Sequence, residues 1–560
     1  MSNWKSILRQ YDTSIKNPPT IIYETEDLES TLRGKNLPAS VLIYLNEDGG
    51  CFSSSGKNLG QLSKVFEQVN GKVLLNVYIE EEVAAKVLIS FCKAENVEDI
   101  CAVSDKPALL KMIREELIYC RCAVDFTKID SLDELQKIVR TTNSHHAKIA
   151  IVSASQASRE VVKYLRNRLI TVWVFDDVGT LHKAHDLIHL GSNGILTKDF
   201  SKILQAFEWY KDEFTLARHP FIIAHRGIPD KAPENTMESY KLSHGLGGEI
   251  IETDVQTTKD VQLVVMHDEY LGRTAVGEGR LYEKTLEELM ELDADNDGWK
   301  GTEFEGVKVP SLEQLLVFAK ENRSFLFIEI KEIHPTVVDE MLRVVKKHKM
   351  ENDYCVICFY ADTLADLHKK APEVSGGHLW LVVDDGVAEG KLTLFEETVR
   401  HIKLAQESFA TVNNAKTHCI GEYYEHLHHR GITAWPWTYG GEHGTQTALD
   451  QYHYCLGGMT SNNCEDLSKY PNGVEANVAF VKASVGEEIS LSATTTNRLK
   501  EKKDVEFEVE VLSGDGIVEV KDGKVFATKV GTASIILRHK YEFNGKTTSI
   551  YTMPIEVLVK

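Results

Sequence analysis

The chain contains no run of about 18 apolar residues, the length a membrane-spanning helix needs, so no transmembrane helix is predicted. It has no low-complexity tract, and its hydrophobic content of 42% is that of an ordinary globular protein. Positive charge is in deficit: 63 Lys and Arg against 84 Asp and Glu leave a formal charge of −21. That balance argues against nucleic acid or an anionic membrane as the main partner, while a local basic pocket for one phosphate is compatible with it. The opening MSNWKSILRQYDTS lacks an apolar h-region and does not read as a signal peptide. The expectation is either an intracellular protein or a chain without its leader. Ten cysteines do not settle the compartment. Cys120/Cys122 and Cys355/Cys358 lie in apolar, strand-like runs, where small buried residues are the simplest reading. Cys355-x-x-Cys358 has no second CxxC or CxxH partner, so zinc has little support, and no cysteine follows Val474.

A length of 560 residues exceeds one core and implies two to four domains. Residues 1–215 alternate short apolar strands with helical stretches, which implies a parallel sheet with helices outside, open or closed into a barrel. Strands are predicted at Val41–Leu45, Val73–Ile79, Ile100–Ser104, Cys120–Phe126, Ile149–Ser153, Thr171–Phe175 and Gly194–Thr197. Residues 216–472 alternate likewise, with strands predicted at Phe221–Ala224, Ile250–Thr253, Leu263–His267, Phe325–Ile330, Tyr354–Phe359, Leu379–Val383, Ala410–Val412, Ile432–Trp435 and Gly458–Thr460. Eight or so such units over roughly 250 residues is the size of a TIM (β/α)8 barrel. Residues 473–560 lose helical periodicity and show alternating strands, with a two-residue hairpin signal at Asp522-Gly523. They read as a small β-sandwich. The fold class is thus multidomain α/β plus all-β.

An internal repeat links the first two blocks. Leu169–Phe175 (LITVWVF) matches Gly431–Trp437 (GITAWPW), and each is followed by a Gly-rich strand start. A second ungapped match pairs Leu59–Leu62 with Leu312–Leu315, a register that sets Asn76 opposite Glu329 and Tyr78 opposite Lys331. The inference is a duplicated barrel whose first copy has lost its chemistry.

The chemistry concentrates after Ile222. His225-Arg226-Gly227 ends one apolar run, and Pro233-Glu234-Asn235-Thr236 follows. Glu252 and Asp254, two apart on a strand, face one side and can share a cation. His267-Asp268 ends the next run, and Glu329-Ile330-Lys331 a later one. Glu252, Asp254 and Glu329 offer an oxygen-rich site suited to Ca²⁺ or Mg²⁺. Arg226 presents a planar fork to a phosphate, and Lys331 adds a point charge. His225 and His267 form a candidate acid/base pair near neutral pH. Glu234 and Asn235 are either turn formers or supports for the metal or phosphate site. Trp437 is either a packed aromatic or a wall of the substrate site. Asp293–Gly298 opens like an EF-hand calcium loop, but Phe304 stands where its twelfth-position Glu should be, so it reads as a polar loop over the mouth. Glu425–Arg430 (EHLHHR) reads as the solvated face of a helix.

The ordered motifs HRG, PENT, ExD, HD and ExK, with VPSLEQLL at Val309–Leu316, strongly resemble the glycerophosphodiester phosphodiesterase family. The resemblance spans the second block and is weakest after Phe359. It implies hydrolysis of a glycerophosphodiester to an alcohol and glycerol 3-phosphate, with one divalent cation and the two histidines as acid and base. The substrate would be a small glycerophosphodiester or a glycerophosphate polymer. A sphingomyelinase-type phospholipase D shares the two-histidine, three-acid plan, and a non-catalytic binder of cell-wall glycerophosphate polymers is the third reading. In the last block, the pattern V-x-V-x-x-G-x-V-x-A-x-x-x-G-T-A-x-I from Val518 to Ile535 resembles bacterial Ig-like group 2 domains. That resemblance implies cell-surface glycan contact and a secreted or surface location in a bacterium, with a cytoplasmic location as the alternative.

Overall fold

The computed structural model describes every residue except 1, 2, 10, 12, 130, 132, 133, 211–213, 381–389 and 417–419. In the first block eight parallel strands close into a barrel: β1 (Thr20–Glu24), β2 (Ser40–Leu45), β3 (Leu74–Ile79), β4 (Ile100–Ser104), β5 (Arg121–Asp125), β6 (Ile149–Ser153), β7 (Thr171–Phe175) and β8 (Gly194–Thr197). Closure comes from β1, which pairs with β8 through Thr20↔Gly194 and with β2 through Ile22↔Ser40. The seven predicted strands are all present; β1 is the eighth. Alternation divides each strand: Ile22, Leu42, Tyr78, Ile151 and Trp173 fill the barrel, while Val41, Val77 and Val172 pack outward in the cluster that includes helix residues such as Leu88 and Leu165.

The second block repeats the plan with β9 (Phe221–Ala224), β10 (Ile250–Thr257), β12 (Phe325–Ile330), β13 (Tyr354–Cys358), β14 (Gly376–Trp380), β15 (Ala410–Asn414) and β16 (Gly458–Ser461). The gap between β15 and β16 is spanned by residues 432–439 through parallel bridges Val412↔Ala434, Ala415↔Trp437 and Tyr439↔Ser461. Pro436 lies in that segment and has no N–H to give, which favours isolated bridges over a continuous ladder. One expected stave is different. Leu263–Val265 (β11) runs antiparallel to β10, with Val255↔Val265 and Thr257↔Leu263, so it is the return arm of a hairpin. A half-buried hairpin arm and a barrel strand have the same apolar alternation, which is why the pattern did not separate them. β14 starts at Gly376, three residues before the predicted Leu379, and the remainder of the predicted Leu379–Val383 beyond Trp380 lies outside the described residues.

The two barrels stand foot to foot. Contacts between them join residues at the beginnings of strands: Thr171 Oγ1 donates to Gly431 O at 2.8 Å, Arg168 meets Asp353 at 2.6 Å, and Asn143 Nδ2 donates to Ser375 Oγ at 2.9 Å. Gly431 has φ +68°, and a Cβ there would lie 2.5 Å from Ile149 Cδ1. The strand C-termini, where barrels of this kind carry chemistry, therefore open at opposite ends of the pair.

The histidine-rich helix Gly421–His429 belongs to this junction, and the expected solvated face is buried. His426 contacts Ile7 O at 3.2 Å, His428 contacts Pro18 O at 2.8 Å, His429 contacts Thr20 Oγ1 at 2.9 Å, and Arg430 pairs with Asp99 at 2.7 Å. Polar residues at this helix end suggested solvent; the N-terminal segment and the first barrel supply their partners instead.

The ladders also set the register between the barrels. Gly194 and Gly458 hold the same place, since a Cβ on the first would strike Trp173 and Ile22 and on the second Trp435 and Ile223. Counting through Ile22↔Ser40↔Leu74 and Ile223↔Ile250↔Phe325 puts Glu24 where His225 stands, Leu42 for Glu252, Tyr44 for Asp254 and Tyr78 for Glu329. The ungapped register is therefore two residues out: Tyr78, not Asn76, replaces Glu329. Its anchor was coincidental, because Leu59–Gln61 lies in a strand whereas Leu312 opens a helix. Tyr44 and Tyr78 stack at 4.8 Å, with their hydroxyls on Glu24 and Asp125 at 2.9 Å each, and occupy the volume a cation site would need.

Residues after Tyr470 form three sheets. The hairpin at Asp522-Gly523 is present, with Val520↔Val525 and positive φ at both turn residues. Gly531–Phe543 is central to the largest sheet, which also takes in Phe214–Leu216 and, beyond it, Ile15–Lys16.

Candidate active site

The C-terminal mouth of the second barrel gathers the five motifs. After β9 the chain turns sharply at Arg226, φ +50°, and Gly227, φ +86°. Gly227 is required because a Cβ there would lie 2.3 Å from Ser239 Oγ. This turn aims the Arg226 N–H at Glu252 Oε2, 2.8 Å, and its guanidinium at Asp254, 3.0 Å, and Glu234, 3.1 Å.

Glu252 and Asp254 point inward from β10 and Glu329 from β12, where Asp254↔Glu329 is a ladder pair. Their oxygens lie within 4.8 Å of one another and all three residues are buried. Lys331 Nζ is 2.6 Å from Glu329 and 3.6 Å from Asp254. Burial, then repulsion from Asp254 and Glu329, holds Glu252 far above the ordinary carboxylate range. Burial and Asp254 likewise push Glu329 up to about 8. Asp254 goes the other way: against its burial, Arg226 and Lys331 hold it below its usual value. Glu252 Oε1 and Asp254 Oδ1 are buried with no hydrogen-bond partner among the described residues. Three close carboxylates, of which Glu252 and Glu329 resist ionisation and Glu252 and Asp254 carry idle oxygens, fit a divalent cation.

Asn235, at φ +56°, has a supporting role. Its Nδ2 donates to Asp254 Oδ2 at 2.8 Å, while its Oδ1 accepts from Tyr240 at 2.8 Å, fixing the carboxylate's direction. Glu234 joins Arg226 to Arg273, which meets it at 2.7 Å.

The two histidines are backed differently. His225 Nδ1 lies 2.6 Å from Asn462 Oδ1, and burial, reinforced by the Arg226 charge, pushes its imidazole down to about 3. His267 Nδ1 lies 2.7 Å from Asp268 Oδ1, and Arg273 Nε donates to Asp268 Oδ2 at 2.5 Å. Burial lowers His267 too, with Asp254 opposing. Gln256 Nε2 contacts the carbonyls of Met266, His267 and Asp268 at 2.9, 3.0 and 3.1 Å and pins the turn that carries this histidine. Trp437 donates to Asn413 O at 2.9 Å and meets Phe359 edge-on at 5.4 Å, and the Phe359 ring lies 5.7 Å from Lys331 Nζ, so the aromatics border the Lys331 side of the mouth.

Asn462, Arg273 and Gln256 were not among the sequence candidates. Arg273 and Gln256 lay inside the motif-bearing stretch without a motif of their own. Asn462 follows β16, 237 positions from His225, and only barrel closure joins them. In the EF-hand-like loop Asp293 pairs with Lys308 at 2.8 Å, Asp295 Oδ2 accepts from Gly306 N at 2.8 Å, and Asp297 reaches Arg273 at 3.3 Å. The nine described cysteines are free thiols, eight of them buried.

The model of the glycerophosphoryl diester phosphodiesterase family matches residues 225–457. A glycerophosphodiester phosphodiesterase of Caldanaerobacter subterraneus subsp. tengcongensis is 33% identical over 221 residues, which is 39% of this chain and 84% of that protein. One from Bacillus altitudinis is 34% identical over 157 residues, 27% of this chain and 63% of its own. An Oleispira antarctica phosphodiesterase, solved in complex with the product sn-glycerol-3-phosphate, covers 44% of this chain and 95% of its own at 24% identity and a TM-score of 0.38. Five motifs meeting in one barrel mouth, and a relative matched over most of its length, place the chain in the glycerophosphoryl diester phosphodiesterase family, as a phosphoric diester hydrolase.

Proposed function

We propose that the chain hydrolyses glycerophosphodiesters to an alcohol and glycerol 3-phosphate, with a divalent cation held by Glu252, Asp254 and Glu329. The observation that carries this reading is the set of three buried carboxylates with idle oxygens beside Arg226 and Lys331. Bound there, Ca²⁺ or Mg²⁺ would supply the charge neutralisation a phosphodiester anion requires. Arg226 and Lys331 bind and orient the phosphate oxygens.

The backing of the histidines divides their work. Asn462 Oδ1 can only accept, so His225 carries its proton on Nδ1 and keeps a lone pair on Nε2, the state of a base. The Asp268 carboxylate favours the imidazolium of His267, the state of an acid. His225 accordingly takes the proton of the attacking hydroxyl, from water or from the glycerol C2 position, and His267 gives one to the leaving alcohol. Glu234, Asn235 and Trp437 border or orient this site. The Ig-like resemblance of residues 473–560 supports action outside the cytoplasm, on a small glycerophosphodiester or on a surface glycerophosphate polymer. No helix among the described residues is long and apolar enough to cross a membrane.

The test is release of glycerol 3-phosphate from glycerophosphocholine by the full chain. Activity is expected to vanish in EDTA, to return with Mg²⁺ or Ca²⁺, and to be abolished by His225→Ala and by Glu252→Ala. Turnover that survives either substitution overturns the site; binding of a polyglycerophosphate without any turnover would support a binding protein instead.

A further inference from the structure

A cavity of about 420 Å³, the size of a small-molecule site (~300–1,000 Å³), opens away from the catalytic mouth where all three blocks meet. Six Lys and Arg line it against three glutamates, Glu160, Glu249 and Glu475, a net positive wall in a chain whose formal charge is −21. Arg166 and Arg498 line it while almost fully buried, Arg159 lies beside them, and the exposed Lys502 stands at the rim. Arg498 is compensated, since its Nε meets Glu249 at 2.6 Å. Glu249 is shared, because it also takes Lys163 at 2.8 Å.

Arg159 and Arg166 lack such a partner. Arg159 donates to the carbonyls of His189, Val474 and Tyr551 at 3.0, 3.3 and 3.2 Å. Arg166 donates to those of Gly191 and His219 at 3.2 and 3.1 Å. Neither forms an ion pair among the described residues. Burial lowers both guanidiniums; Glu475 and Glu160 oppose this at Arg159, while at Arg166 Arg218 adds repulsion and Glu249 opposes it. Cations whose direct partners are main-chain carbonyls, with carboxylates only at longer range, call for an anion in a cavity open at one side.

We propose that this cavity binds a small phosphorylated anion, inorganic phosphate or a phosphomonoester, on the guanidiniums of Arg159 and Arg166 with Lys502 closing the rim. Guanidinium forks match phosphate oxygens two at a time, which suits this ligand class. The site is independent of the catalytic reading. Its wall draws Arg159 and Arg166 from the first block, Glu249 from the second and Arg498 and Lys502 from the third, so occupancy ties the three together.

The experiment uses the full chain carrying Arg226→Ala and Lys331→Ala, which removes the phosphate contacts of the catalytic mouth. It is titrated calorimetrically with inorganic phosphate and, separately, with glycerol 3-phosphate, at constant ionic strength in chloride. One site is expected. Arg166→Gln added to that background removes it, and Lys502→Glu weakens it about fivefold. Tighter binding of glycerol 3-phosphate marks the phosphomonoester as occupant, and equal affinity marks the free ion. The melting temperature in chloride reports whether Arg166→Gln folds; where it does not, the exposed Lys502→Glu change decides. No binding in the double variant, or binding that Lys502→Glu leaves unchanged, overturns the proposal.

Discussion

Asn462 Oδ1 stands 2.6 Å from His225 Nδ1, across the seam where the last strand of the catalytic barrel meets the first. An amide oxygen there sets the tautomer of the histidine without adding a charge to it. Replacing Asn462 with Ala is expected to lower kcat by ~10–100-fold, with little change in KM, since orientation rather than substrate contact is lost.

Asn462→Asp separates orientation from electrostatics. A carboxylate raises the proton affinity of His225 above its present value of about 3. A base works in its neutral form, so the acidic limb of the kcat/KM profile is expected to move to higher pH. A profile that stays in place while activity is lost would show that Asn462 acts only through packing.

The carboxylate cluster couples metal, pH and stability. Glu252 and Glu329 have folded-state values above their unfolded ones. Their stabilising contribution is therefore fully present below the ordinary Glu value and is lost as pH rises through the folded value, about 8 for Glu329. The metal-free protein is expected to lose melting temperature between pH 5 and pH 9, and Glu329→Gln to flatten that slope. Mg²⁺ or Ca²⁺ should stabilise the wild type most at the alkaline end, by linkage to the ionised cluster. Thermal denaturation across pH, with EDTA and with metal, checks all three.

The junction between the barrels is expected to be structural. Gly431→Ala places a methyl on Ile149 and strains a residue at φ +68°. It should cost about 1–3 kcal/mol in denaturant unfolding and leave kcat unchanged. Residues 216–472 alone would expose that face of the barrel, where Arg430 and His428 lose their partners Asp99 and Pro18. That fragment should melt below the full chain and bind a hydrophobic dye.

The first barrel's mouth is expected to be silent in turnover. Tyr78→Phe loses the 2.9 Å bond to Asp125, for about 1 kcal/mol of stability, and should not change hydrolysis.

The residues proposed to hold the phosphate and the cation could be picked out because each sits next to an apolar run that declares a strand. His225, Glu252, His267 and Glu329 needed only that rule. Partners from far along the chain were not legible. Asn462 follows an eighth strand of four residues, and nothing in SNNC distinguishes it from a turn. The hairpin arm Leu263–Val265 passed for a stave because antiparallel and parallel partners impose the same alternation. The buried histidines of Gly421–His429 passed for a wet face because their partners lie 409 to 419 residues away, in the first block. The repeat was visible at Trp173 and Trp435, where large side chains fill matching space beneath Gly194 and Gly458. It was misregistered at Asn76, where a four-letter match joined a strand to a helix.

The sheet that joins Ile15–Lys16, Phe214–Leu216 and Lys546–Tyr551 has a consequence for synthesis. Each barrel draws its strands from one stretch of chain and can close as it leaves the ribosome. The seam between residues 15 and 215 has its outer neighbour only once residue 551 has emerged. Until then the edge of Phe214–Leu216 is an open ladder, and a nascent chain stalled before residue 546 would carry two finished barrels with an unpaired strand edge beside them, the natural place for a holding chaperone to bind.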